Sequence, residues 1–600
     1  MSRIRSLLFA VLLLGTSCGI SAIDIDNRKI VVLSDPHVMA PSLLVNKGTA
    51  WTNYLNREDR LMDYSWQLFD EVFGRIKQDL RPGLVLISGD LTKDGEQVSH
   101  QYLTGKLDEL RALGIRTLVV PGNHDRGSNS DAVSYDGENT TQVAVATDGW
   151  FAAQYANYGY GAGSEREESS LTYACEPITG LVVIGIDSGT NGNVSSTTLA
   201  WIVEKATAAR ASGKKVIAMM HYPLIPHFTG VNTFESSAVV QNYGTVRNTL
   251  ADAGIRVVFT GHFHTSDIAK DWNDDMKREI YDVNTGSLIA YPCDYRVVTM
   301  SDDFSDMAIT TNHCTAVNAA TAKERLQAAV QAQIAAKVAI PAIAAAAAQA
   351  YVIHAEGNEQ DNPASASVLT AFSGAATDVG GEMAQQLIVM ANSMLQDKSQ
   401  YGTVRENVTN DRTLTIALPE AIQLAADGYS TYCSGNRLDI SRTTGVTAYI
   451  VNNVTATTVE LQEVSVVPAE AGFILKGTGS ALYDLYKTES AADDVSANQL
   501  HGTLTATAAP ANTYALSTKK GVTGFFPVNT GLMIPAHKAY LTVSGSMANG
   551  FVLEGETTGV TTVGSQTNAI PSEFYSVQGV RVVKPTKGLY ISNGKKVVIK

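Results

Sequence analysis

Five short apolar runs in the first half of the chain each end in a polar residue of metal-ligand type. Ile30 to Leu33 leads into Ser34-Asp35-Pro36-His37, and Leu84 to Ile87 leads into Gly89-Asp90. Leu118 to Val120 leads into Gly122-Asn123-His124-Asp125, Val216 to Met220 into His221, and Val257 to Phe259 into Gly261-His262-Phe263-His264. Apolar runs of this length, separated by helix-like stretches, predict buried parallel strands in an α/β sheet. Val182 to Asp187 predicts one more core strand. Ligands of such sheets collect beyond the carboxyl ends of the strands, where all of these polar residues fall.

Further along, the pattern changes twice. From Asn318 to about Gln400 the chain turns to Ala, Gln and Leu. Strong helix formers run from Lys323 to Ile353, with Pro341 expected to kink or divide them, and a second helix is expected from Gly381 to Gln396. Val338 to Ile353 is apolar but Ala-dominated, with Pro341 and Gln349 inside, which argues against membrane insertion. From Arg412 to about Glu556, short Val/Thr/Leu/Tyr runs alternate with turn residues, predicting an antiparallel sandwich. The expected division is a leader at 1–22, an α/β unit at 23–316, a helical segment at 317–405, an accessory β-sandwich at 406–565 and a tail at 566–600. A chain of 600 residues accommodates roughly three to five domains.

Composition removes some function classes. A formal charge of −14 argues against a protein that grips the nucleic-acid backbone. Five Cys are too few for a disulfide framework. Cys293 and Cys314 flank an expected hairpin turning at Asp302 to Ser305, so a cross-strand disulfide and two unlinked thiols are both open. Arg3 and Arg5 followed by Leu7 to Leu14 read as the charged and apolar parts of a signal peptide. Cys18 as a lipoprotein acceptor competes with cleavage after Ala22, which is favoured because Gly15 stands where an aliphatic residue is usual. On either reading the protein is exported, to the periplasm, the outer-membrane surface or the medium.

Asp, Asn and His at five strand ends suit hard or borderline cations, while the absence of Cys among them argues against thiolate zinc or iron–sulfur sites. Two metals about 3.5–4 Å apart, sharing one carboxylate, need about seven side chains, and these stretches supply that number.

Asp-x-His, Gly-Asp, Gly-Asn-His-Asp, a lone His and Gly-His-x-His, in this order over Lys29 to Asp302, resemble the calcineurin-like metallophosphoesterase superfamily. The resemblance implies an α/β fold class: a metallophosphoesterase β-sandwich flanked by helices, here followed by the helical segment and the antiparallel β-sandwich. It implies that Asp35, His37 and His264 hold one metal, that Asn123, His221 and His262 hold the other, and that Asp90 bridges them. The ions would be two divalent or trivalent metals, Mn, Fe or Zn. His124 is implied as the general acid and Asp125 as the residue that orients its ring, with a metal-bridging hydroxide attacking phosphorus. The purple acid phosphatase branch has a Tyr ligand three residues after the bridging Asp; Lys93 stands there. Asp90-Leu91-Thr92-Lys93-Asp94-Gly95 is closer to the bacterial phosphodiesterase branch. The expected substrate is a small-molecule, lipid or nucleotide phosphate ester. A diester is preferred, a phosphomonoesterase or nucleotidase is the rival, and a non-catalytic surface binding protein is a third reading.

Other residues divide between two roles. Tyr155, Tyr158 and Tyr160 either stack on a base or sugar or pin a cover loop, and the second is favoured. His227 either faces the cleft or packs its loop; His100 is assigned to a helix face; the Val283 to Leu288 turn is assigned a structural role. The tail, with Phe574-Tyr575, Gly579-Val580-Arg581 and Gly588-Leu589-Tyr590-Ile591, resembles the sorting signals of type IX secretion cargo, which implies the secretion machinery as a partner.

Overall fold

The computed structural model describes residues 24–127, 129–231, 237–337, 340–357, 362–377, 381–396, 406–407, 411–544 and 549–553, plus short tail segments at 561–562, 574–576, 581–582, 587–592 and 595–599. The expected leader, with Cys18 and the cleavage point, lies outside these residues.

Side-chain alternation explains how the first unit is layered. One sheet runs, edge to edge, Thr413–Ala417, Asp306–His313, Asp294–Met300, Asp26–Leu33, Pro82–Ser88, Arg116–Val120. The other runs Glu406–Asn407, Asp267–Trp272, Glu279–Asn284, Val257–Thr260, Lys215–Met220, Leu181–Ile186, Tyr173–Ile178, Ser164–Arg166. Motif-bearing strands pair in parallel, with Val31 opposite Val85, Leu86 opposite Leu118 and Ala218 opposite Val258. Within Lys215–Met220, Ile217 and Met219 enter the core shared by the two sheets. Val216, Ala218 and Met220 enter a second core, shared with Leu199 and Ile202 of helix Ser196–Ala211 and Leu250 of helix Tyr243–Asp252. Both faces are therefore apolar, which is why the sequence shows unbroken apolar runs there instead of alternation. Each large side chain so buried contributes about 1.5–3 kcal/mol.

The expected boundary at 405/406 is corrected. After the helical segment the chain returns to the first unit and adds an edge strand to each sheet: Lys270 pairs with Glu406, and Ile309 with Leu414. The β-rich unit starts only at the Glu420–Gln423 strand. Backbone pairing at an open sheet edge is favourable for any extended segment, so composition does not mark this change of partner.

Among the described residues the helical segment has four helices: Ala319–Lys337, Pro341–Glu356, Ser365–Thr377 and Gly381–Gln396. Pro341 is the first residue of its helix, where a missing N–H is no loss, so it divides the expected run. The Ser365–Thr377 helix was not anticipated, because Ser, Thr and Gly dilute its apolar pattern. These helices bury Ile343, Val352, Phe372 and Leu395 together with Phe228 and Phe263 of the first unit. Among the described residues no helix is long and apolar enough to cross a membrane.

The β-rich unit has two cores, one around Ile450, Leu475 and Leu485 and one around Val451, Phe525 and Leu541. It is not wholly antiparallel, because Thr458–Val464 pairs in parallel with Phe551–Leu553. The described tail strands form a separate five-stranded sheet. Asp294 pairs with His313 across the expected hairpin, and Cys293 and Cys314 beside that pair are buried free thiols.

Candidate metal centre

Backbone conformation at the strand ends is unusual. Asp35, His37, Asp90, His262 and His264 have φ of 48°, 39°, 44°, 67° and 56°, in the left-handed region where non-glycine residues are uncommon. Such outliers persist only where the surroundings enforce them, and they cluster at functional sites. Glycines make the crowding possible. A Cβ on Gly122 would collide with Asp90, and one on Gly261 with Ser34 and Asp35. The Val283 to Leu288 turn props the same loops: Ser287 Oγ donates to the Asp35 carbonyl at 2.9 Å, and Asn284 Nδ2 to the Gly261 carbonyl at 2.6 Å. Its structural assignment agrees with that geometry.

Two donor groups result. Asp35, His37 and His264 have ligand atoms within 4.8 Å of one another, and so do Asp90, His221 and His262. Asn123 Oδ1 is 2.9 Å from His221 Nε2 and joins the second group. Asp90 Oδ2 is 3.7 Å from His37 Nε2 and 3.4 Å from His221 Nε2, so one oxygen faces both groups. All seven residues expected as ligands are thus brought together, in the expected division.

The donors fit cations. His221 Nδ1 lies 3.0 Å from the Ser88 carbonyl; donating there leaves Nε2 as a lone pair aimed at Asp90 and Asn123. His37 Nε2 is buried without a hydrogen-bond partner among the described residues, between Asp35 at 4.0 Å and Asp90 at 3.7 Å. A buried nitrogen left orphaned among carboxylates needs a further partner, and a cation supplies one. Burial and the nearby Arg60 hold His37 well below its ordinary pKa. Burial and His221 lower His262 to about 3. Both rings therefore stay neutral, as ligation requires. Burial opposes ionisation of Asp90, but His221 and His124 outweigh it and keep the carboxyl well below its usual range; Asp90 in return outweighs burial at His221 and raises it to about 9, so a cation held there displaces that proton.

His124 stands beside this centre. Its backbone N–H donates to Asp90 Oδ1 at 2.8 Å, and its Nδ1 lies 2.8 Å from Asp94 Oδ1. The expected role of Asp125 is corrected. Asp125 accepts the backbone N–H groups of Leu91, Thr92 and Gly122 at 3.0, 2.9 and 2.7 Å, which ties the two ligand loops together and saturates its oxygens. The partner of the His124 ring is Asp94, which sequence reading did not single out. Its signal lay in its position four residues after Asp90 on the same loop. Burial would lower the His124 pKa, but Asp90 and Asp94 outweigh it and raise it, favouring a ring that carries a proton to give. Lys93 is fully buried, stacked over Tyr54 and bound to Asp94 and Glu96.

Other assignments resolve as packing. Tyr155, Tyr158 and Tyr160 are core residues, and their hydroxyls bond His100 Nδ1, Asp108 and the Val119 carbonyl, so base or sugar stacking is excluded for them. His100 lies on helix Gln97–Ala112, with Nε2 2.8 Å from the Asp125 carbonyl. His227 is buried away from the cleft, between Asp267 at 2.8 Å and Asp282 at 3.1 Å.

The unit has two sheets with two clustered donor groups at its strand ends, and residues 28–266 match the calcineurin-like phosphoesterase family. Curated relatives include a probable cyclic nucleotide phosphodiesterase from Synechococcus, 42% identical over 55 residues, which are 9% of this chain and 20% of the relative. A cAMP/cGMP dual specificity phosphodiesterase from Mycobacterium tuberculosis is 22% identical over 192 residues, 31% of this chain and 50% of the relative. The matches thus span a fifth and a half of those relatives. Among solved structures, a dimetal phosphatase from Danio rerio aligns over 48% of this chain and 96% of its own, at 12% identity and a TM-score of 0.32.

Proposed function

We propose that this chain is an exported, metal-dependent phosphoric ester hydrolase that prefers phosphodiesters. The observation that carries this reading is the meeting of seven donors from five strand ends beside a histidine held by a carboxylate. Asp35, His37 and His264 would hold one ion, and Asn123, His221 and His262 the other, with Asp90 shared. Cations bound there supply charge neutralisation at phosphorus and activation of the attacking water. The chain's own residues do the rest. Asp125 and the Val283 to Leu288 turn hold the ligand loops in register. Asp94 fixes the His124 ring and favours its protonated form, and His124 gives its proton to the departing ester oxygen.

The diester preference has support in the names of the two curated relatives, and the Lys93 position supports a centre without a tyrosinate ligand. The test is hydrolysis of bis(p-nitrophenyl) phosphate against p-nitrophenyl phosphate by protein loaded with Mn, Zn, Fe or Mg. Faster diester turnover supports the reading, and faster monoester turnover moves it to a phosphatase. No turnover with confirmed metal binding leaves a binding protein. Export is tested by fractionating cells of the native host.

A further inference from the structure

We infer that the helical segment forms the specificity wall of the phosphate cleft and that the substrate's organic arm is aliphatic. This rests on the hydrolase reading above. The cleft has a volume of about 340 Å³, within the size range of small-molecule pockets. It is lined by Asp90, Asn123 and His124 of the metal centre and by the charged Arg57 to Arg60 turn. Another part of the lining is Val330, Ile334, Ala347 and Met394, contributed by three of the four described helices. Phe263, between the two ligand histidines of its loop, packs 5.5 Å from Phe228 and 5.9 Å from Tyr351, so the helices are keyed into the metal loop itself.

A phosphate group has no use for that wall, because facing apolar surface costs a charged group its hydration. An apolar arm attached to the phosphate gains by covering it. A nucleobase needs partners for its polar edge, and the helices bring few of them: the Tyr351 hydroxyl donates to the Phe263 carbonyl at 2.9 Å, and Gln333 is the other polar side chain they add to the lining. Tyr155, Tyr158 and Tyr160 are core residues and do not line the cleft; its Phe and Tyr rings are Phe228, Phe263 and Tyr351, which pack on one another.

The experiment is calorimetric binding of n-alkylphosphonates, methyl to octyl, to the metal-loaded full-length protein, with the same series as inhibitors of bis(p-nitrophenyl) phosphate hydrolysis. Affinity should rise roughly three- to fourfold per methylene until the wall is covered. Met394→Ala should extend the length at which the rise stops, and Ala347→Leu should shorten it. These shifts run in opposite directions, so a general loss of fold cannot produce both. Chain-length-independent binding, or adenosine monophosphate binding more tightly than hexylphosphonate, would overturn the aliphatic assignment. Hydrolysis without chain-length dependence removes the wall and keeps the hydrolase. Chain-length-dependent binding without any hydrolysis does the reverse.

Discussion

His124 Nδ1 lies 2.8 Å from Asp94 Oδ1, and Asp94 is in turn bound by the buried Lys93 ammonium. The ring is thereby fixed by a residue of the Gly-Asp loop rather than by its own neighbour Asp125. Asp94→Asn should lower turnover by about 10–100-fold, the usual cost of losing an orienting partner. Metal content should stay at the wild-type level, and the acidic and basic limbs of the pH–rate profile should shift. An unchanged profile would assign Asp94 a purely structural role.

His124→Ala should depress turnover by about 10²–10⁴-fold, the range expected for a positioned general acid, with metal still bound. Elemental analysis beside steady-state kinetics checks it. Activated substrates such as p-nitrophenyl esters should be affected least, because their leaving oxygens need little protonation. Normal turnover on unactivated esters would remove the acid role.

Asp90→Asn should reduce metal occupancy at both positions, since one carboxylate oxygen faces both donor groups. Asp125→Ala should act differently. It releases three backbone N–H groups and loosens both ligand loops, so unfolding temperature should fall along with metal affinity. Calorimetric metal titration and thermal melts separate the two.

Gly122→Ala tests the crowding argument. Its Cβ would collide with the Asp90 carboxylate and backbone, so the bridging residue must move. Metal affinity should fall, with the far-UV circular dichroism spectrum unchanged. Retention of full affinity would show that the loop has slack.

His227 provides a pH test away from the metals. Burial alone would lower its pKa, but Asp267 and Asp282 outweigh burial and raise it to about 9. The unfolded value is about 6.5, so the stabilisation is complete below that pH and is lost as pH rises through 9. The shift corresponds to roughly 3 kcal/mol. Melting temperature should fall between pH 7 and pH 9. His227→Gln should lower stability at pH 6 and flatten that slope. An equal slope in both proteins would sink the assignment.

Much of the first unit was legible because its signals are local. An apolar run with both faces buried between layers needs no partner information to be recognised, and a polar ligand at its end marks which edge of the sheet is used. The reason for Gly122 and Gly261 came only with the structure, where close approach to Asp90 and Asp35 leaves no room for a Cβ. The helix Gly381–Gln396 was found at its own boundaries, whereas Ser365–Thr377 was not, because Ser and Thr obscure an apolar face that tertiary packing still buries.

What the chain alone determined, then, was the inventory: which strands are buried, which residues can ligate and in what order they arrive. Tertiary structure decided the pairings. Asp94 rather than Asp125 holds His124, Tyr155 turns inward to His100, and residues 406–417 rejoin the first unit. The helical segment, which composition describes only as Ala-rich, becomes a wall of the cleft. The physical reason is that burial and ligand chemistry are properties of a residue and its near neighbours. Orientation, edge pairing and cleft shape depend on contacts between segments far apart in the chain, and periodicity carries no record of those.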